Sequence, residues 1–294
     1  MRSIEEGAEA IYKAIQIALE NKTGCLIGRN GTIELQVVFS KMNSSTINTP
    51  IHLAKTLELH AGVWPSTNQS IHDWYLELLN AIRSSDVLVA GWYEPFLRDE
   101  SRMLEIYATN VTQIPLRSLE PYYVPPEKRW TRLLKGHVVA IVNAFAETAF
   151  QQTMKAEDLW PGQEESLLPQ GTTWIPVRTG YAPILAQGRA EWSSHLKNWQ
   201  EAVESVVEKV IASNARIALI GCGGLGMPIA ARLKERGVIA IVLGGATQVL
   251  FGIKGKRWET HSVIKHFWNE DWVCPATSET PMGSKLIEGG CYWA

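Results

Sequence analysis

Residues 215–248 read ARIALIGCGGLGMPIAARLKERGVIAIVLGGATQ. The apolar run Ile217–Ile220 stops at Gly221, a glycine-rich turn carries Gly223, Gly224 and Gly226, and a helical stripe then leads to a second apolar run, Ile239–Leu243. Strand, glycine turn, helix and strand in that order make one complete right-handed crossover, which sets two parallel strands in a sheet. Apolar runs at CLIG (25–28), VLVAG (87–91), GHVVAIV (136–142) and TWIPV (173–177) alternate with helical spacing over the rest of the chain. The expected fold class is therefore α/β: a doubly wound, mainly parallel, Rossmann-like sheet forming a single domain over residues 1–294.

Helical spacing places Ile4, Ala8, Ile11, Ile15 and Leu19 on one stripe and predicts an N-terminal helix over 1–21. Trp192, Leu196, Trp199, Val203, Val206 and Val210 predict a second over 190–212, and Ser70 with Asp73 reads as the cap of a third before WYLELLNAI. Pro115, Pro121, Pro125 and Pro126 mark the stretch near 111–135 as a loop or lid.

Charged residues make up 20% of the 294 and the formal net charge is −2, so no global basic field exists to hold nucleic acid or an acidic membrane. The four cysteines include no C-x-x-C pair and read as reduced thiols. Acids interrupt the N-terminal stretch MRSIEEGAEAIYKAI, and no run of about 18 apolar residues occurs, so neither a signal peptide nor a membrane span is expected. The expected location is cytoplasmic.

In open α/β sheets ligands bind beyond the carboxyl ends of the strands. Those ends are Arg29-Asn30-Gly31-Thr32-Ile33-Glu34, then Trp92-Tyr93-Glu94, then Asn143, the turn 221–226, and Gly244-Gly245-Ala246-Thr247-Gln248. Gly221, Gly223 and Gly226 match G-x-G-x-x-G, with backbone N–H groups at a helix start suited to a diphosphate, or simply close helix-strand packing. A dinucleotide site would want an acid where the next strand ends, and Gly244 and Gly245 stand there instead, which disfavours NAD. Lys254, Lys256 and Arg257, interleaved with glycine in FGIKGKRW, form either a basic flap for a diphosphate or a solvated surface loop.

IGRNGTIEL (27–35) resembles the R-x-G-D-G-E-L signature of the GT-D-type glycosyltransferases, and AGVWP, GHVVAIVNAFAET and the C-terminal GGATQVLFGIKGKRW, NEDWVCP and EGGCYW are similar to GT-D-fold proteins of bacteria and viruses. The resemblance runs from about residue 20 to the C-terminus. It implies a GT-D-like domain and transfer of a sugar from a nucleoside-diphosphate donor, UDP-type favoured, to a glycan or other hydroxyl acceptor in polysaccharide or glycoconjugate synthesis. Arg29, Gly31, Glu34 and Leu35 match the signature, while Thr32 stands at its Asp and Ile33 at its second Gly. Glu34 is then the candidate ligand of a divalent ion (Mn or Mg), and Glu34 or Glu94 the candidate base. The nucleotide is expected across Gly221, Gly223, Gly224 and Gly226 and the strand end Gly244, Gly245, Thr247 and Gln248, with Lys254, Lys256 and Arg257 on the diphosphate. The alternatives are a non-catalytic nucleotide-sugar-binding or scaffold protein and an NAD-type oxidoreductase.

Overall fold

The two apolar runs of residues 217–242 lie side by side. Ile217–Gly221 (β6) pairs in parallel with Ile239–Val242 (β7), Ile217 against Ile239, and the helix Gly226–Glu235 joins them. Five more strands complete the sheet: Cys25–Gly28 (β1), Val87–Val89 (β2), Thr112–Ile114 (β3), Val138–Asn143 (β4) and Thr173–Arg178 (β5). The order is β3-β2-β1-β7-β6-β4-β5 and every pairing is parallel. The structure is a computed structural model and describes residues 2–44, 46–287 and 289–293.

Alternate strand residues feed two cores, because successive side chains point to opposite faces. Leu26, Leu88, Val142, Ile220 and Val242 pack under the helices Thr32–Met42, Ile51–Ala61, Asn68–Ser84, Leu97–Tyr107, Trp199–Ala212 and Gly226–Glu235. Ile27, Val89, Ile141, Leu219 and Ile241 face the opposite way, against the helices Ile4–Asn21 and Ala146–Thr153 and the irregular segments of the second half. Burial on both faces explains why these strands read as unbroken apolar runs.

The chain leaves β4 for β5 over one face and leaves β6 for β7 over the other. Since β4 and β6 are neighbours, the connections diverge there and open a crevice at the carboxyl end of the sheet.

Several local expectations shift. The N-terminal helix starts at Ile4, where Ser3 and Glu6 form a reciprocal capping box. Thr67, not Ser70 or Asp73, caps the helix Asn68–Ser84, its hydroxyl accepting from the Ser70 N–H at 3.2 Å. The helix expected over 190–212 begins only at Trp199, because the Asn198 side chain accepts from the Glu201 N–H at 2.9 Å and sets the cap there. The prolines of 111–135 do not make a free lid: the segment holds β3 at the sheet edge and buries Leu119, Trp130 and Leu134 completely. Proline breaks helices, but it does not stop the side chains between the breaks from packing.

Candidate functional site

Over the crevice lies a cavity of about 700 Å³, lined from the ends of β1, β2, β4, β5, β6 and β7 and roofed by the C-terminal segment. Its walls are built from short turns that the strands hold in place.

At β1 the strand ends in Gly28, and Gly31 caps the helix Thr32–Met42, so Glu34 falls in the first helical turn, where the helix dipole favours an acid. A Cβ on Gly31 would collide with the Glu34 carboxylate, so glycine here lets that carboxylate fold back over the turn. Glu34 is half-buried and lines the cavity. Burial raises its pKa, opposed by its own backbone N–H and by the Arg29 charge.

Arg29 does not pair with Glu34. Its guanidinium donates to the Leu243 carbonyl at 3.4 Å and lies 5.3 Å from the centre of the Trp92 ring. Gly244, at φ +57°, makes the room: a Cβ there would sit 3.0 Å from the Arg29 Nη1. A cation from β1 thus covers the strand end where a dinucleotide fold would place an acid.

The glycine turn divides into two parts. Gly221 and Gly223 line the cavity, whereas Gly224 and Gly226 are buried in packing, against Val63 and Ala61 and against Val242. The Trp74 indole donates to the Gly224 carbonyl at 2.8 Å and fixes the turn from behind. Asn143, at the end of β4, donates to the Gly221 carbonyl at 2.9 Å and accepts from the Phe145 N–H at 2.8 Å, locking the two strand ends that flank the crevice.

Beyond β7, Gly245 and Gln248 line the cavity and Thr247 is buried behind them. Gln248 donates to the carbonyls of Lys254 at 2.9 Å and Tyr292 at 2.8 Å, tying two parts of the roof to the sheet. Of the expected basic flap only Arg257 reaches the cavity, its guanidinium 4.9 Å from the Trp258 ring centre and 4.8 Å from that of Tyr292. Lys254 turns to Trp268, 5.9 Å from the ring centre, and Lys256 is exposed; neither lines the cavity. Glu94 is exposed on the turn after β2 and lies outside the lining as well.

The cavity also collects residues that no motif marked: Arg117, Glu120, His60 and His261. Arg117 stands 4.9 Å from the centre of the Tyr123 ring. Glu120 is 9% exposed, and burial, opposed by Arg29 and Arg117, pushes its carboxyl up to about 7. The His261 pKa is lowered by burial and then by Arg117, and its Nδ1 accepts from the N–H groups of Val263 and Ile264, both at 3.2 Å. The sequence signal for Arg117 and Glu120 was weak because both sit in the proline-broken stretch after β3.

Among the described residues no group of three or more His, Cys, Asp or Glu side chains comes together as a metal-ligand set. Thr32, beside Glu34 on the cavity wall, supplies no second carboxylate on that turn. None of Arg29, Arg117 and Arg257 lies within ion-pair distance of a carboxylate among the described residues. The arrangement can therefore take up a multiply charged anion beside flat rings and hold hydroxyl groups against two carboxylates.

Searches of protein-family models, curated proteins and solved structures returned no match to this chain.

Proposed function

We propose that the cavity binds a nucleoside-diphosphate sugar and that the protein transfers the sugar to a hydroxyl acceptor, as the GT-D resemblance implies. The observation that carries this reading is the set of three arginines, Arg29, Arg117 and Arg257, lining one cavity without a carboxylate partner among the described residues. Arg29 is half-buried at the end of β1, Arg117 and Arg257 are exposed at the cavity's edge, and guanidinium groups match phosphate oxygens in fork geometry.

In this reading Arg29 and Arg257 hold the diphosphate, and the first turn after β6 approaches it through Gly221 and Gly223. Trp92, Trp258 and Tyr292 offer faces for the base or the sugar ring. The arginines supply positive charge that a leaving diphosphate needs. Glu34 and Glu120 face the hydroxyl groups.

Titration calorimetry with UDP tests the binding half. We expect binding that persists in EDTA, gains little from manganese and weakens as salt rises. Replacing Arg29 and Arg257 together by Ala removes two charged contacts, and affinity should fall on the order of a hundredfold. Binding that vanishes in EDTA yet ignores the double substitution would overturn the assignment of the charge to these arginines. The substitution of Thr for the signature Asp at position 32 favours a second reading, binding without turnover, which absence of UDP release from any donor would support.

A further inference from the structure

We propose that Glu120 is the catalytic base that takes the proton from the acceptor hydroxyl, with Glu34 orienting a substrate hydroxyl; the inference rests on the sugar-transfer reading of the same cavity. The two carboxylates differ in how they are held. Glu34 lies in the first turn of a helix, against its own backbone N–H and folded over Gly31, an arrangement that fixes the carboxyl in place while burial raises its pKa. Glu120 lines the cavity, and among the described residues its carboxylate has no hydrogen bond and no ion pair, so both oxygens remain available to a ligand.

Its backbone, by contrast, is firmly placed. The fully buried Trp130 donates its indole N–H to the Leu119 carbonyl at 3.1 Å, and the Tyr123 N–H bonds the Glu120 carbonyl at 3.0 Å. A side chain with free oxygens on a fixed support is what a base needs in order to meet a bound hydroxyl.

The groups facing Glu120 suit that task. Arg29 and Arg117 lower its pKa, burial raises it further than they lower it, and the phenols of Tyr122 and Tyr123 feel its charge in turn. The balance leaves the carboxyl near neutrality, where a base combines adequate ionisation with adequate basicity. In the step itself the acceptor oxygen forms a bond to the anomeric carbon as the bond from that carbon to the diphosphate oxygen breaks. The electron pair leaves with the diphosphate and the acceptor proton passes to Glu120. Water can take the acceptor's place, which gives slow donor hydrolysis.

The test uses the full chain as wild type, Glu120→Gln, Glu120→Asp and Glu34→Gln. UDP affinity and melting temperature are measured beside the release of UDP from UDP-glucose, UDP-galactose and UDP-N-acetylglucosamine in water, across pH. We expect Glu120→Gln to fold and bind UDP while losing release on the order of a hundredfold or more. The wild-type rate should climb with pH to a plateau with its inflection near 7, an inflection absent from Glu120→Gln and retained, at reduced rate, by Glu120→Asp and Glu34→Gln. Release by wild type that Glu120→Gln leaves unchanged would overturn the assignment of the base alone. An inflection kept in Glu120→Gln but lost in Glu34→Gln would hand the role to Glu34. UDP binding without release would overturn the base while leaving the binding reading intact, and failure to bind UDP would remove both. Should Glu120→Gln fail to fold, loss of the inflection in Glu120→Asp would by itself contradict the proposal.

Discussion

Glu120 carries a cost that can be read apart from any substrate. Its folded pKa of about 7 lies above the ordinary 4.5, so the folded state binds its proton more tightly than the unfolded state does. Below pH 4.5 both states are protonated and nothing is lost; as pH climbs through about 7 the buried carboxyl ionises and the fold is progressively destabilised. The shift corresponds to about 3 kcal/mol at full ionisation, an upper figure for a group that still touches the cavity. Glu120→Gln should therefore be more stable than wild type above pH 7 and lose that advantage on acidification, a difference that urea unfolding at several pH values resolves. Equal stability of the two proteins at every pH would mean that the carboxyl is not held in a poorly solvated place. Arg29, Gly31 and Glu34 were legible in the sequence because they follow directly on an apolar strand, and strand ends are where α/β ligands sit. Arg117 and Glu120 were not, because an irregular segment has no period from which the direction of a side chain can be read. Lys254 and Lys256 misled for the same reason: charge in a glycine loop says nothing about which way the loop faces.

At the level of elements, the strands and the crossover over 217–242 could be read in advance because apolar runs, glycine and helical period all agree there. The start of the helix at Trp199 could not, since the apolar stripe continues upstream and only the Asn198 cap stops it. Trp192, on that upstream stretch, stacks instead on Trp64 with ring centres 5.7 Å apart and joins the cavity wall. The glycine turn shows how one motif can serve two ends, two glycines at the cavity and two in the packing behind it. Gly223 belongs to both: its φ is +48°, and a Cβ would come within 2.8 Å of the Ala61 carbonyl oxygen, which is backbone and yields little. Gly223→Ala should lower unfolding free energy by about 2 kcal/mol, and Trp74→Phe, which strips the bond to the Gly224 carbonyl, by about 1 kcal/mol. Denaturant unfolding checks both. Unchanged stability with lost UDP affinity in Gly223→Ala would mean that the glycine leaves room for ligand and not for Ala61.

On the scale of the whole molecule, the site follows from topology. Seven parallel strands aim their carboxyl ends at one rim, and the reversal between β4 and β6 parts the connections above it. Residues 253–293 contain no strand or long helix among those described, yet they close the cavity, held by Gln248, by the pairing of Ile253 with Val273, and by the bond from the Arg257 N–H to the Cys291 carbonyl at 2.9 Å. Among the described residues no helix is long and apolar enough to cross a membrane. The central claim, a nucleoside-diphosphate site built on arginines without a dinucleotide-type acid, is tested most directly by the melting temperature of the wild-type chain in EDTA with UDP, ATP, NAD or NADP. A ligand that binds only the folded state at a hundred times its dissociation constant adds roughly 2.7 kcal/mol, which raises the transition visibly. UDP should raise it, while ATP, NAD and NADP should leave it in place; a rise with NAD or NADP and none with UDP would contradict a nucleoside-diphosphate site of this kind.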